Sequence, residues 1–399
     1  MKIAIVSGDD VVGDDPGRLC AALAAQGQEV TAYLRQRGRC SRKVGAVRPG
    51  TSRRYRAIGI AVGPATACKD AEVLPFVGDW AATLERLWSS DRPDVVHAYG
   101  WLGGLAAQLA VRRHNLPIVQ TFQPLAAAPR ARSDRGRRRL TERERIEPLL
   151  ARNATWVTVE NSTDVYALAR LRHGRARMSI LASGVDIDQY TPVGPVADRT
   201  DLHRVLSIAP NPLPGNGFDL AISAMPKVPG AELVIAETEV TNRSHDRARN
   251  ALKRLAAELG VADRVRFVGT IDGDELSKMV RSADVVACTP RQPPRAASVL
   301  AAMASGVAVV ALPVGVLIDV VVDSVTGLLL SSENSSELAA ALRSLLAQEF
   351  RCKSMGAAGR NRALSRFTWD RVALDALNIY GQLIGQDSPV RSLRPTGAH

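Results

Sequence analysis

Two arginines in the C-terminal half stand where positive charge could bind an anion. Arg291 and Arg295 come directly before a helix that the pattern predicts from Ala296 to Ser305. The first backbone N–H groups of such a helix, here those of Ala297 and Ser298, lack partners inside it and carry the positive end of its dipole. The sequence therefore favours two interpretations equally: an anion site, or two solvated loop arginines.

A second basic feature is a run of arginines in the N-terminal half. Eight arginines lie between positions 130 and 145, just before and within a predicted helix, Thr141–Asn153. One interpretation is a charged helix face, which is common. The other is a surface that attracts phosphates, anionic lipid or acidic partners. The densest part of the run is Arg135, Arg137, Arg138 and Arg139.

The bulk composition excludes several classes of protein. At 399 residues the chain is too long for one ordinary core, so two domains are expected. It has no apolar run long enough for a transmembrane helix and no signal-peptide pattern, which predicts a cytoplasmic protein. Its five cysteines are far apart without a CxxC pair, so neither a disulfide framework nor a metal site is expected. The net charge of +12 does not by itself indicate nucleic acid, because no DNA-binding motif or aromatic-studded basic groove accompanies it.

Short β-branched runs alternate with amphipathic helical segments, which is typical of βαβ units and parallel sheets. The stretch 191–201 is rich in Pro, Gly and charge and predicts a linker between domains 1–190 and 202–366. Residues 386–399 are polar and non-periodic, which predicts a disordered tail. The predicted strands are Lys2–Ser7, Glu29–Leu34, Asp94–Ala98, Ile118–Thr121, Trp156–Val159, Met178–Leu181, Val205–Ile208, Glu232–Ile235, Val265–Val268, Val285–Ala287 and Ala308–Leu312.

Five segments together resemble one enzyme family. They are DVVHAYGWLGGLAA, ILASGVDIDQYTP, LAAELGVADRVRFVGTIDGDEL, LAAMASGVAVVALPVGVLIDVVVDSVTGLLL and FTWDRVA, in this order along the chain. The chain thus resembles the family-4 retaining glycosyltransferases, which have the GT-B fold of two facing Rossmann-like, doubly wound α/β domains. The resemblance implies that the donor binds the C-terminal domain and that a final helix, residues 367–385, crosses back onto the N-terminal domain.

The resemblance also implies which residues would bind a nucleotide-sugar donor, and several differ from the family pattern. Asn211 and Asn216 stand where the family has an Arg and a Lys that bind the diphosphate. Losing two charge-assisted hydrogen bonds, at about 1.5–3 kcal/mol each, costs roughly 3–6 kcal/mol. Pro293 and Ala301 replace two glutamates, and a turn carboxylate is kept only as Asp319. Arg291 and Arg295 are candidates to replace the lost positive charge.

The resemblance also bears on Glu237 and on the residues expected near the acceptor. Glu237 stands where the family often has a Gly-Gly turn, and we expect a solvated loop acid there. Gln123 stands in place of a strand-end histidine beside the anomeric carbon and is the candidate catalytic residue. His97 is a second candidate, although a core histidine is the more common reading. Backbone N–H groups at Gly13 and Gly17 could approach a phosphate.

The sequence leaves three functions open. The first is a retaining transferase that moves a sugar from a nucleotide-sugar donor, without a metal or other cofactor, to an acceptor that is lipid-linked or anionic. Such an enzyme would contact the inner face of a membrane through its basic surface. The second is an inactive pseudo-glycosyltransferase that acts as a scaffold or regulator. The third, weaker possibility is a nucleotide- or lipid-binding protein.

Overall fold

The computed structural model describes residues 1–8, 14–36, 55–64, 70–123, 125–126, 140–174, 176–240 and 242–386. The chain divides into two compact units. The first contains residues 1–159 and 165–181 together with the chain from Ala373, and the second contains 160–164 and 182–372. Residues 191–201 thus belong to the second unit, whereas the sequence indicated a linker there.

The first unit is built on a parallel sheet of seven strands. The strands are β1 (Lys2–Ser7), β2 (Glu29–Gln36), β3 (Arg56–Ala61), β4 (Val95–Tyr99), β5 (Ile118–Phe122), β6 (Trp156–Val159) and β7 (Met178–Ile180). Their order is β3-β2-β1-β4-β5-β6-β7, so the chain reverses direction across the sheet after β3. The helices between them are α1 (Asp15–Ala25), α2 (Asp70–Val73), α3 (Val77–Ser90), α4 (Trp101–His114), α5 (Glu142–Asn153) and α6 (Ser162–Arg172).

The second unit has the same doubly wound topology. Its parallel strands are β8 (His203–Ala209), β9 (Ala231–Glu237), β10 (Val265–Thr270), β11 (Val285–Cys288), β12 (Ala308–Ala311) and β13 (Gly327–Leu329), in the order β10-β9-β8-β11-β12-β13. The helices are α7 (Phe218–Ala224), α8 (Arg243–Glu258), α9 (Gly273–Arg281), α10 (Ala297–Ala304), α11 (Leu317–Val320), α12 (Ser335–Leu346) and α13 (Glu349–Arg366).

Both faces of each sheet are covered. Along β8, Val205 packs in one apolar cluster while the neighbouring Leu206 packs in another on the opposite face. The continuous apolar runs of the sequence are therefore strands buried on both sides, as parallel sheets require. No helix in the described part of the chain is long and apolar enough to span a bilayer.

The last helix, α14 (Trp369–Gln386), begins in the second unit and packs in the first from Ala373 onward. Its apolar positions recur at helical spacing, and Val372, Ala376, Ile379 and Leu383 are all buried. The predicted fold class, two Rossmann-like units with a C-terminal crossover helix, is confirmed.

Candidate functional site

The loop between β8 and α7, residues 210–217, is called the donor loop here because it holds Asn211 and Asn216. It ends at Gly217, which has a left-handed φ of +74°. A Cβ atom at this position would lie 1.7 Å from the carbonyl oxygen of Thr289. The Thr289 hydroxyl in turn donates a 2.8 Å hydrogen bond to the Gly217 carbonyl. Only glycine fits both the backbone angle and this approach, so the donor loop is fixed against the end of β11.

Asn211 and Asn216 are bound to each other. The Asn216 amide nitrogen donates to the Asn211 carbonyl and to its side-chain oxygen, at 2.8 Å each. The Asn211 amide nitrogen donates to Oε2 of Glu239 at 2.8 Å. Since an amide has two N–H groups, both donors of Asn216 are used inside the donor loop. In this conformation Asn216 has none left for a diphosphate.

Arg291 lies beside the same loop and is held by two carboxylates. Its guanidinium makes a bidentate contact with Asp219, with both N···O distances 2.7 Å, and a further ion pair with Glu333. It also donates to the Pro214 carbonyl at 2.9 Å. The hydrogen bond to Asp219 is the main reason that the pKa of Arg291 lies above its usual value. The structure therefore brings Arg291 to the donor loop, but with its charge compensated.

The start of α10 follows Arg291. Its N-cap, Ala296, offers no side-chain hydrogen bond, so the first N–H groups of the helix are not capped by a side chain. Ala297 is exposed, while Arg295 and Ser298 are half-buried. Pro293 packs closely on Gly315, where a Cβ would lie 2.8 Å away. Asp319 has a separate partner: its carboxylate accepts the Ser162 backbone N–H at 2.7 Å.

Glu237 is not the solvated acid that the sequence favoured. It ends β9 with none of its surface exposed, and Arg249 of α8 binds both of its carboxylate oxygens at 2.8 and 2.7 Å. The expectation is wrong because it ignored a cation two turns into the next helix, which can fold back over the strand end. A strand-end acid followed by a helical arginine is the signal that could have indicated this pair.

His97 is a core residue of the first unit. It is fully buried, and its two ring nitrogens lie 2.6 Å from the hydroxyls of Tyr380 and Thr121. Burial lowers the pKa of His97 to about 3. A side chain that is inaccessible and doubly hydrogen-bonded suits a structural role, so this geometry favours the core interpretation over a catalytic one.

Gln123 directly follows β5 and is half-buried. Its side-chain oxygen is buried and accepts no hydrogen bond from the part of the chain that the structure describes. The loop beyond it is held by Glu147, a fully buried carboxylate that accepts the Ala126 backbone N–H at 2.8 Å. Gln123 therefore stays the acceptor-side candidate, with its loop pinned three residues downstream.

Gly17 lies in the first turns of α1, and the Asp14 carboxylate covers it: a Cβ there would be 2.4 Å from Asp14 Oδ1. This acid opposes a phosphate at Gly17. Gly13 lies outside the described residues, as do Arg135, Arg137, Arg138 and Arg139. Within the described ranges, no three His, Cys, Asp or Glu side chains are grouped so that they would hold a metal ion.

Comparisons with known proteins agree with the fold. Residues 13–184 match the family described as Glycosyl transferase 4-like domain, and residues 210–362 match Glycosyl transferases group 1. A D-inositol 3-phosphate glycosyltransferase from Actinosynnema mirum is 31% identical over 90% of this chain and 89% of that relative. One from Mycobacterium tuberculosis is 28% identical over 93% of this chain and 78% of that relative.

Solved structures share the fold at lower identity. Sucrose-phosphate synthase from Thermosynechococcus elongatus superposes with a TM-score of 0.81 at 22% identity, over 97% of this chain and 100% of that one. Anabaena HepE in complex with UDP and glucose gives a TM-score of 0.70 at 17% identity, over 95% of this chain and 98% of the other.

Proposed function

Because the chain belongs to the group 1 glycosyltransferases, we propose that it transfers a sugar from a nucleotide-sugar donor with retention of configuration and with a weakened hold on the donor diphosphate. The donor loop carries this proposal. Its backbone is fixed by Gly217 on Thr289, yet it presents Asn211 and Asn216, which are neutral, where the resemblance implies two cations.

The chemistry follows from what these residues can still supply. A departing nucleoside diphosphate is stabilised by N–H donors or positive charge already aimed at it. The candidates are the first N–H groups of α10, at Ala297 and Ser298, together with Arg295. In a retaining front-face reaction the departing phosphate itself accepts the proton of the acceptor hydroxyl, so no metal is needed. Gln123 would hold the sugar through hydrogen bonds. It would not act as an acid or base, because its amide does not titrate as a histidine does.

The acceptor proposed is anionic. The relatives named above are D-inositol 3-phosphate glycosyltransferases, so a phosphorylated polyol is the first acceptor to test. The arginine run between positions 130 and 145 adds a second element to the proposal, a peripheral contact with an anionic membrane surface at which a lipid-linked acceptor would be met.

Calorimetric titration with UDP-, GDP- and ADP-glucose tests donor binding. We expect millimolar affinity for one of them in the wild-type chain. The double substitution Asn211→Arg with Asn216→Lys should tighten binding by ~10²–10⁴-fold, because two charge-assisted hydrogen bonds contribute roughly 3–6 kcal/mol. No heat with any donor at millimolar concentration, and no sugar transfer, would remove the transferase proposal.

One set of contacts favours a second candidate, the pseudo-glycosyltransferase that acts as a scaffold. Both N–H groups of Asn216 are used inside the donor loop, and Arg291 is compensated by Asp219 and Glu333. A loop satisfied in this way would need no ligand. If the wild-type chain binds no donor while the Arg–Lys double variant does, the scaffold function replaces the transferase function.

A further inference from the structure

The guanidinium of Arg291 is almost fully used by protein partners. Arginine has five N–H donors. Nε donates to Glu333, Nη1 donates to Asp219 Oδ1 and to the Pro214 carbonyl, and Nη2 donates to Asp219 Oδ2. Four of the five donors are thus occupied and one is left. A bidentate grip on a phosphate requires two N–H donors, so Arg291 would have to break a bond to Asp219, Glu333 or Pro214.

These partners come from three separate segments. Pro214 belongs to the donor loop, Asp219 lies in the first turn of α7, and Glu333 lies between β13 and α12. The backbone N–H of Arg291 also donates to the Gly215 carbonyl at 2.9 Å. We call Arg291 with Pro214, Asp219 and Glu333 the Arg291 clamp.

The clamp is partly exposed, with side-chain exposures of 31% for Arg291, 38% for Asp219 and 46% for Glu333. Ion pairs that are open to water contribute little to global stability. At a partly exposed site, a bidentate arginine mainly orients the segments it joins, because its planar guanidinium fixes both the distance and the angle to the carboxylate. Its effect should therefore be confined to the segments it joins.

We propose that Arg291 is a positioning residue, which holds the donor loop in its donor-binding conformation and does not itself bind the donor phosphates. That this loop conformation binds a donor rests on the proposed transferase function. That Arg291 holds the loop in this conformation does not. The anion interpretation of Arg295 and the start of α10 is separate from this clamp.

Hydrogen exchange read by mass spectrometry tests the loop directly. The amides to follow are those of Asn216, Gly217 and Arg291, which donate to Leu213, Pro214 and Gly215. Arg291→Gln should speed their exchange roughly 10- to 100-fold, as expected when hydrogen bonds to charged groups are lost. Arg291→Lys should restore only part of the protection, because Lys cannot bind Asp219 in a bidentate way. The charge-reversed pair R291D/D219R should restore more than either single variant.

The matched control is Arg113→Gln, which removes an exposed arginine paired with Glu85 in the other unit. It should leave exchange in the donor loop unchanged. Unchanged exchange in Arg291→Gln overturns the proposal.

Titration of the same proteins with UDP and with pyrophosphate separates positioning from direct binding. We expect Arg291→Gln and Asp219→Asn both to weaken UDP binding, by about the factor seen in exchange. Tighter pyrophosphate binding by Asp219→Asn would mean that Asp219 shields a phosphate ligand, and it overturns the proposal. If exchange responds as expected but UDP binds neither the wild type nor any variant, the clamp stands and the transferase function falls.

Discussion

Inside the first unit, a chain of short polar contacts runs from α14 to β6. The Tyr380 hydroxyl lies 2.6 Å from His97 Nδ1, Thr121 Oγ1 lies 2.6 Å from His97 Nε2, and Thr158 Oγ1 lies 2.5 Å from Thr121 Oγ1. Whichever tautomer His97 adopts, both nitrogens have a hydroxyl partner. The network joins the final helix to the centre of the sheet, and the burial of His97 there disfavours a charged imidazole.

This burial predicts a stability that depends on pH. Burial holds the pKa of His97 at about 3 in the folded chain, against about 6.5 when unfolded. Between these values the unfolded state binds one more proton, so the free energy of unfolding should fall by about 1.4 kcal/mol per pH unit as the pH drops from about 6.5. From pH 6.5, where the unfolded histidine is half protonated, to pH 4.5, His97 alone should account for roughly 2 kcal/mol.

Urea unfolding followed by tryptophan fluorescence measures this effect, because four of the five tryptophans lie in the first unit: Trp80, Trp88, Trp101 and Trp156. His97→Gln should remove most of the His97 slope. Tyr380→Phe is the control, since it loses a hydrogen bond but leaves the histidine buried, and it should keep the slope. Equal slopes in the wild type and His97→Gln would contradict the assignment.

Single residues also show where sequence reasoning reaches its limit. The place of Asn211 and Asn216 in a loop between a strand and a helix could be predicted, because the elements on both sides have clear patterns. Their mutual hydrogen bonds could not, since they depend on the turn that the donor loop makes. The partners of Arg291 come from positions 72 and 42 residues away in sequence, which no local pattern indicates.

At the scale of elements, the join between β11 and the donor loop rests on Gly217. Gly217→Ala meets two penalties: a left-handed φ of +74°, and a Cβ 1.7 Å from the Thr289 carbonyl oxygen. The first costs about 1–2 kcal/mol and the second about 1–3 kcal/mol. We expect a loss of about 2–5 kcal/mol in the free energy of unfolding, together with weaker donor binding.

Gly230 provides the matched control for that substitution. It has the same φ of +74°, but a Cβ there meets nothing within 4 Å. Gly230→Ala should cost only the conformational part, about 1–2 kcal/mol. The difference between the two variants, measured by chemical denaturation, isolates the close approach of the two loops. Equal losses would mean that Thr289 moves aside and that the contact does not hold the loop.

The predicted strands agree with the structure to within a residue or two where the apolar run is long. Two strands were not predicted. β3 reads RAIGIA, and the glycine at position 59 weakens the strand pattern of the sequence. In the structure, the Gln36 side chain lies where a Cβ atom of residue 59 would be. β13 has only three residues and is held as a strand by its parallel pairing with β12. Short or glycine-containing strands at sheet edges are set by their neighbours, so the sequence indicates them poorly.

At the scale of the whole molecule, the sequence predicted two doubly wound units because the βαβ alternation repeats and the domain size is limited. It did not fix where they divide. Residues 191–201 read as a linker by composition, but arginines of the second unit hold this stretch: Arg281 binds the Pro195 carbonyl and Arg204 binds the Asp198 carbonyl. A segment without periodicity can still be ordered when cations bind its free carbonyls.

The net charge of +12 predicts attraction to anionic surfaces. The distribution of the charge decides whether one local patch or the whole chain is attracted. Replacing Arg135, Arg137, Arg138 and Arg139 by Gln lowers the charge from +12 to 12 − 4 = +8. Since each arginine near an anionic bilayer contributes about 1 kcal/mol, sedimentation with phosphatidylglycerol vesicles should weaken by up to ~10³-fold. Raised salt should weaken the binding of the wild type.

A variant with the same net charge, in which Arg243, Arg247, Arg254 and Arg266 become Gln, separates a local patch from overall charge. All four are exposed in the second unit. If this variant keeps the wild-type affinity for the vesicles, the arginine run is the docking surface. If both variants lose affinity equally, the attraction belongs to the total charge, and the proposed membrane contact has no specific site.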